Sequence, residues 1–312
     1  MKAMVIHAYG GPEVLRLEEI PRPEPKENEV LVRVIAAGVN PADPLIVSGK
    51  YAKEFGTHLP LIPGYDIAGV VEKTGSKITK LKVGDSVYGY VLWGGGWAEF
   101  TIATEGEVAL KPKSLTFTDA ASVPLAALTA WQALIDVAHL GAGQTVLIHG
   151  GSGGVGSMAI QIAKARGAKV IATASTPNQD LLKELGADLA IDYTKTKFEE
   201  MAKDVDVVLD PVGHDTLERS YAVVKKGGFI ATLVSRLDQE KMEAHGIRGA
   251  SIAVKPNAEE LAEITKLIEA KKIKAVVTQV LPLTEAVKAL QQAATHHTRG
   301  KMVLRVAEDP KS

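Results

Sequence analysis

The sequence contains no cysteine. That absence excludes disulfides, thiolate zinc sites, iron–sulfur clusters and a cysteine nucleophile together. Excess charge is missing too: 36 basic residues stand against 37 acidic ones, for a formal net charge of −1. With the two signs interspersed, neither a nucleic-acid surface nor a polybasic membrane patch is expected. The chain has no uninterrupted apolar run of about 20 residues, the length a membrane helix needs. Its opening, Met1-Lys-Ala-Met-Val-Ile-His7, carries no long apolar core before a cleavage site, so a cytoplasmic protein is expected. Internal repeats and low-complexity tracts are also absent.

What is present suits two domains, because 312 residues with 46% hydrophobic content can fill two cores. Up to about residue 111 the chain alternates short β-rich runs (Lys2–His7, Leu15–Glu18, Val30–Ile35, Ile67–Lys73, Ser86–Val91, Ala98–Ala103, Val108–Lys111) with Gly, Pro and Asp. The segment Pro21-Arg-Pro-Glu-Pro-Lys-Glu-Asn28 can be neither helix nor central strand. An irregular β-barrel-like domain is predicted there. A helix is expected over Ala120–His139, with Pro124 near its start. Strands near 145–149, 169–174, 188–191, 206–210, 228–234 and 250–254 then alternate with helices near 155–166, 177–185, 197–203, 214–225 and 238–245, the pattern of a doubly wound parallel sheet. Helical patterns return at Asn257–Ala270 and Leu283–Ala294, and Lys301-Met-Val-Leu-Arg-Val306 reads as a final strand covering an open edge of the first domain's sheet.

The most informative stretch is Gln144-Thr-Val-Leu-Ile-His-Gly-Gly-Ser-Gly-Gly-Val-Gly156. An apolar strand runs into Gly151-x-Gly153-x-x-Gly156 and then into a helical pattern closed by Gly167. Glycines at this spacing make a tight turn, let backbone approach a diphosphate and let the helix pack on its strand, with the diphosphate at the positive end of the helix dipole. Gly151, Ser152, Gly153, Gly154, Val155 and Gly156 are therefore candidate dinucleotide contacts.

With this turn placed after a β-rich first half, the chain resembles the medium-chain dehydrogenase/reductase superfamily, in its zinc-free quinone oxidoreductase and enone reductase branch. The resemblance covers essentially the whole length. It rests on Ala37-Gly-Val-Asn-Pro-Ala-Asp43, Pro63-Gly-Tyr-Asp-Ile-Ala-Gly-Val70, Val83-Gly-Asp-Ser-Val-Tyr-Gly89, Val123-Pro-Leu-Ala-Ala-Leu-Thr-Ala-Trp131, the glycine turn and Leu185-Gly-Ala-Asp188. It implies a GroES-like catalytic domain over residues 1–120 and 271–312, a Rossmann domain over 121–270 and a homodimer formed through the cofactor-domain sheets. The family's zinc-dependent alcohol dehydrogenases carry Cys at the position of Asn40 and Gly-His-Glu in place of Gly64-Tyr65-Asp66, and both changes remove metal ligands. An enone or quinone is already electrophilic and accepts hydride without a metal to polarise it. No metal site is expected.

For the cofactor, the second strand of the α/β half ends Val170-Ile-Ala-Thr-Ala-Ser-Thr-Pro-Asn178, with no acid before Asp180 to hold a ribose 2′-hydroxyl. Without a repelling carboxylate, NADPH is expected over NADH. The resemblance points to Ser175, Thr176, Asn178 and Tyr193 as the 2′-phosphate pocket, with Lys183 and Lys195 as candidate charge partners. Thr176-Pro-Asn-Gln179 also reads as a helix start with a capping box, and both readings can hold together. The resemblance further places Asn40 and Thr129 near the nicotinamide, Gly154 and Val155 amides at the diphosphate, and Leu233 and Val234 at the carboxamide, although the last two are equally readable as buried strand.

The expected reaction is hydride transfer from NADPH to a small electrophile, either the β-carbon of an α,β-unsaturated carbonyl or a quinone. Charge develops on the carbonyl oxygen and a proton must follow, so donors matter. Candidates are Asn40, Tyr51 and Tyr65, with water as another proton source; an Asx turn explains Asn40 as well, and both tyrosines fit as ordinary half-buried aromatics. Plant-type enone reductases carry a lysine two residues beyond the aspartate of the Asn-Pro-x-Asp motif, where this chain has Leu45. Val91-Leu-Trp-Gly-Gly-Gly-Trp-Ala98 reads as a flap with aromatic surfaces or as a glycine-rich hairpin anchored by its tryptophans. His149 reads as packed rather than catalytic, and the pair His296-His297 as a solvated helix end. Two rival readings stand: a non-catalytic NADPH-binding protein, since fold does not fix function, and an acyl-chain enoyl reductase.

Overall fold

A computed structural model describes residues 1–52, 56, 58–295 and 298–309; the His296-His297 pair lies outside them. The chain divides into two compact units, Met1–Leu125 with Pro256–Ser312, and Ala126–Lys255.

The first unit opens with β1 (Lys2–Val5) and β2 (Arg16–Glu19), an antiparallel pair. The eleven-residue β3 (Glu29–Val39) follows, then the short helix α1 (Ala42–Val47), β4 (Asp66–Thr74), β5 (Ser86–Tyr90), β6 (Phe100–Thr104), β7 (Val108–Leu110) and the single-turn helix α2 (Phe117–Ala121). Nearly every residue of β3 is buried, as its run of Val, Ile and Ala requires of a strand covered on both faces. One edge of β3 pairs antiparallel with β4, with register shifts between Leu31 and Val32 and between Val34 and Ala36. Such bulges bend a strand and add twist.

The expected helix over Ala120–His139 is broken. Thr116 caps α2, its hydroxyl accepting from Asp119 N at 3.0 Å. Pro124, which has no N–H to continue that helix, starts α3 (Pro124–Trp131), and a π-helical turn over Gln132–Val137 completes the stretch.

In the second unit β8 (Thr145–Ile148), α4 (Gly154–Ala165), β9 (Lys169–Ala174), α5 (Gln179–Glu184), β10 (Leu189–Asp192), α6 (Phe198–Met201), β11 (Val205–Asp210), α7 (His214–Ser220), β12 (Val224–Thr232), α8 (Gln239–His245) and β13 (Arg248–Ser251) alternate strictly. All six strands run parallel in the order β10-β9-β8-β11-β12-β13, so β8 stands where the order reverses. That reversal is where doubly wound sheets bind ligands, beyond the carboxyl ends of their strands.

The chain then returns to the first unit through α9 (Ala258–Glu269), β14 (Val277–Pro282), α10 (Ala286–Ala293) and β15 (Lys301–Arg305). The final strand pairs antiparallel with the Ala36–Val39 end of β3, while β6 takes the Glu29–Arg33 end of the same edge. β14, not anticipated as a strand, lies parallel to β15. The second crossing falls at residues 255/256 rather than 270/271. Asn257 caps α9 by accepting from Glu259 N and Glu260 N, the helix buries Leu261, Ile264 and Ile268, and Tyr88 on β5 donates its hydroxyl to Leu261 O at 2.9 Å.

Candidate functional site

The glycine turn occupies the loop between β8 and α4. Gly153 is the N-cap of the 12-residue α4 in extended backbone (φ −79°, ψ 179°), and its residue has no side chain to occupy the first-turn amides. A β-carbon at Gly153 meets only Gly150 O, at 3.4 Å, so the turn is open on that side. Gly156 is the opposite case: a β-carbon there stands 2.2 Å from Gly150 O and 2.7 Å from Gly151 Cα. Helix and turn pack backbone to backbone at this residue.

His149 fixes the entry to the turn. Ser220 Oγ donates to Thr216 O at 2.6 Å, so its single hydrogen is spent there. The imidazole must then donate from Nε2 to Ser220 Oγ (3.0 Å) and accept at Nδ1 from the Thr173 hydroxyl (3.2 Å), which itself accepts from Gly150 N at 3.3 Å. The ring is also edge-on to Phe198, with centroids 4.6 Å apart. Burial, helped by the charge of Arg219, lowers its pKa to about 3. It is a neutral, packed histidine, as its sequence position suggested.

At the end of β9, Ser175, Thr176 and Asn178 come together, but not as a capping box. Thr176 Oγ1 donates to Asp192 Oδ2 at 2.6 Å, and Gln179 Nε2 turns to Ala174 O at 2.8 Å. The ionised acid is the stronger acceptor and captures the hydroxyl. Asn178 Nδ2 donates to Ser175 Oγ at 3.1 Å, and Tyr193 is largely exposed beside them. Residues 176–178 form a 3₁₀ turn leading into α5, which is too short to be an anion site by its dipole. Asp192 brings to this corner the acid that the second strand lacks. Hydrogen bonds from Thr176 and Thr194 hold its pKa down to about 2, and Lys195 pairs with it at 3.5 Å while Lys183 pairs with Asp180 at 3.7 Å. These four charged residues, with Thr176 and Gln179, line a cavity of about 470 Å³.

Thr129 lies buried on α3. Leu233 and Val234 lie past β12 in a bend rather than within a buried strand: Leu233 N donates to Asp210 O at 3.0 Å, and Val234 is exposed.

In the first unit, Asn40 sits in a buried polar cluster between the end of β3 and α1. Its backbone N donates to Asp43 Oδ2 at 2.6 Å, and Asp43 N returns a bond to Asn40 O at 3.0 Å. That reciprocal turn is the local reason for Asn-Pro-x-Asp. The Asn40 side chain does other work: Nδ2 donates to Asp66 Oδ2 at 3.0 Å, and Oδ1 accepts from Lys301 Nζ. Lys301, from β15, also donates to Asp66 Oδ2 at 3.1 Å, and Asp66 Oδ1 accepts from Leu125 N at 2.7 Å. Asn40, Asp43, Asp66 and Lys301 are all at most 5% exposed. Asp43 Oδ1 has no partner, and burial raises the Asp43 pKa to about 7 against the opposing pull of the Asn40 amide and Lys301.

Tyr65 is fully buried rather than half-buried, its hydroxyl has no hydrogen-bond partner, and burial next to Asp43 pushes its pKa up. Tyr51 is half-buried, with Lys50 Nζ 5.9 Å from its ring centroid. The two tryptophans of the flap divide: Trp97 is buried and donates its indole N–H to Gly38 O at 3.3 Å, whereas Trp93 is 69% exposed. Leu45 is half-buried on α1. Sequence reasoning missed Asp66, Lys301 and Asp192 as site residues. The signal for Asp66 and Lys301 was a charge at the end of an apolar run, which can persist in a core only when paired.

Family models match over two stretches, an alcohol dehydrogenase GroES-like domain over residues 26–113 and a zinc-binding dehydrogenase over residues 185–304. A 2-methylene-furan-3-one reductase of Solanum lycopersicum is 41% identical over 317 residues, covering 97% of this chain and 79% of its own. The chain belongs to the quinone oxidoreductase and enone reductase branch of the medium-chain dehydrogenase/reductase superfamily. A chloroplastic NADPH-dependent alkenal/one oxidoreductase of Arabidopsis thaliana is equally similar, at 41% over 317 residues with the same coverage of 97% and 79%. The Escherichia coli quinone oxidoreductase solved in complex with NADPH superposes with a TM-score of 0.89 at 30% identity, covering 98% of this chain and 100% of that one. Like these members of the family, the chain is an oxidoreductase. No helix among the described residues is long and apolar enough to cross a membrane, and no group of three or more His, Asp or Glu among them is arranged to hold a metal.

Proposed function

We propose that this protein transfers hydride from NADPH to the β-carbon of small α,β-unsaturated carbonyls or to quinones, without a metal. The observation that carries the reading is that one unit holds an open Gly153 turn at the N-terminus of α4 and the other, taken by itself, holds an Asn40 cluster whose cationic position is already taken by Lys301. The reductase names of its relatives at 41% identity support it.

The residues present fit a dinucleotide. Gly153 leaves the space a side chain would fill, the first-turn amides of α4 supply donors for a diphosphate, and the hydroxyl and amide groups of Ser175, Asn178 and Tyr193 suit a 2′-phosphate. Asp192 opposes a second anion at that corner. Its charge is drawn toward Thr176, Thr194 and Lys195, and Lys183 and Lys195 offset it. We assign Ser152, Gly154 and Val155 to the diphosphate, and Thr129, Leu233 and Val234 to the nicotinamide end.

The donor set does not fit zinc. In place of thiolate and imidazole the chain offers an amide and a phenol, and the amide oxygen of Asn40 and the Asp66 carboxylate already accept from an ammonium.

When bound, NADPH supplies the hydride. The protein holds the acceptor and answers the charge that grows on its carbonyl oxygen. Asn40 is assigned as the donor there. Tyr65, whose hydroxyl is buried and unpartnered, and Tyr51 are assigned as proton-bearing groups on the acceptor side. We further assign the protein to the cytoplasm as a homodimer. The test is turnover after exhaustive chelation, with NADPH and then NADH against a panel of quinones and 2-alkenals. Undiminished NADPH turnover is expected. Tight NADPH binding without reduction of any acceptor would instead mark a non-catalytic binding protein.

A further inference from the structure

We infer that Lys301 is a positioning residue that locks the Asn40 carboxamide in one flip and so makes Asn40 a donor, never an acceptor, toward whatever binds beside it. Donor and acceptor inventory decides the flip. An ammonium can only donate and an ionised carboxylate can only accept. With Lys301 Nζ on Asn40 Oδ1 and Asp66 Oδ2 facing Asn40 Nδ2, the reversed amide would set donor against donor and acceptor against acceptor at once. Asp66 cannot swing away, because Lys301 Nζ and Leu125 N hold its two oxygens. Lys301 is itself seated on β15, whose pairing with β3 holds it beside the strand that ends at Asn40.

What Asn40 has left is one Nδ2 hydrogen. Its ligand must therefore present an acceptor, which a carbonyl oxygen gaining charge does and a hydroxyl acting as donor does not. The inference deepens the proposed function and rests on its placement of Asn40 at the reacting end. It explains why a lysine stands in the buried part of β15, next to Met302, Val303 and Leu304, at 5% exposure, where a buried ion pair gives little net stability.

The test combines a double-mutant cycle with a readout on the protein alone. Lys301→Met and Asn40→Ala are each expected to lower kcat 10-fold or more, with the NADPH dissociation constant changed less than 3-fold. The double variant should be no worse than Asn40→Ala, because Lys301 acts through Asn40. Losses that multiply would overturn the inference. Full activity of Asn40→Ala would overturn the placement of Asn40, and the inference with it, a different outcome read from a different variant.

The chain has four asparagines, so asparagine-labelled protein without cofactor gives an assignable Asn40 amide pair. One of its Nδ2 protons should be shifted downfield and slow to exchange, and Lys301→Met should move that shift back toward the free-amide position and speed the exchange; an unchanged pair would refute the lock. If Lys301→Met does not fold because two buried carboxylates lose their cation, Lys301→Met with Asp66→Asn removes one of them. The new amide must still accept from Leu125 N and so turns its own nitrogen toward Asn40. Asn40 is then held in the opposite flip, and a folded protein with kcat still at least 10-fold down is expected. Wild-type kcat in that double variant would sink the inference.

Discussion

Alanine at Gly153 and alanine at Gly156 are expected to fail in different ways. At Gly156 the added methyl would stand 2.2 Å from Gly150 O and 2.8 Å from Gly150 C, and both are backbone atoms that cannot rotate aside. Forcing the helix off the turn is an overpacking change of about 1–3 kcal/mol, which at roughly 2–4 °C per kcal/mol lowers Tm by about 2–12 °C. At Gly153 the same methyl meets only Gly150 O at 3.4 Å, and φ −79°, ψ 179° suits alanine. Reduced unfolded-state entropy contributes about 0.4–1 kcal/mol, while alanine is a poorer N-cap than glycine by a similar amount. Stability should therefore stay within about 1 kcal/mol. Binding should not: a diphosphate held off one charge-assisted amide bond, about 1.5–3 kcal/mol, loses roughly 10- to 150-fold in affinity. Thermal melts and NADPH fluorescence titrations on both variants separate stability from binding. Gly153→Ala with unchanged Tm and wild-type NADPH affinity would refute the claim that the open side of the turn faces the cofactor.

Ser175→Asp adds a second carboxylate beside Asp192 and should weaken NADPH at least 10-fold more than NADH in the same titration; equal losses would move the 2′-phosphate elsewhere. His149 titrates in the unfolded chain near 6.5 and in the folded protein only near 3. Its contribution to stability is therefore whole above pH 6.5 and shrinks as pH falls toward 3, by up to about 1.4 kcal/mol per pH unit. Asp43, raised to about 7, works in the opposite sense, binding its proton in the folded state as pH falls from 7 toward 4. Comparing wild type with His149→Gln isolates the histidine, and between pH 6.5 and 5 the wild type should lose about 2 kcal/mol more than the variant. Parallel melting curves would contradict the neutral-histidine network.

How far the sequence is legible depends on whether a signal is local. The alternation from β8 to β13 was readable because each strand is a short apolar run and each helix has its own period, and the Gly151-x-Gly153-x-x-Gly156 turn lies within six residues. β14 escaped notice because its half-exposed residues take their strand from β15 and not from their own pattern. The α9 boundary was misplaced for a related reason: a helical period tells which face is buried, not which unit buries it. At the site, Asn40 was found through its motif, but its partners are 26 and 261 residues away. Thr176 was read as a cap because nothing nearby announces that Asp192, on the neighbouring strand, claims its hydroxyl.

The most direct measurement of the central claim is the fate of deuterium from NADPH labelled at C4, in both stereochemical forms, with chelated protein and a trans-2-alkenal. The account predicts a saturated aldehyde carrying the label at C3, from one of the two labelled forms only. Label at C1 of an allylic alcohol would mean carbonyl reduction and an alcohol dehydrogenase, and dependence on added zinc would contradict the role given to Lys301 and Asn40.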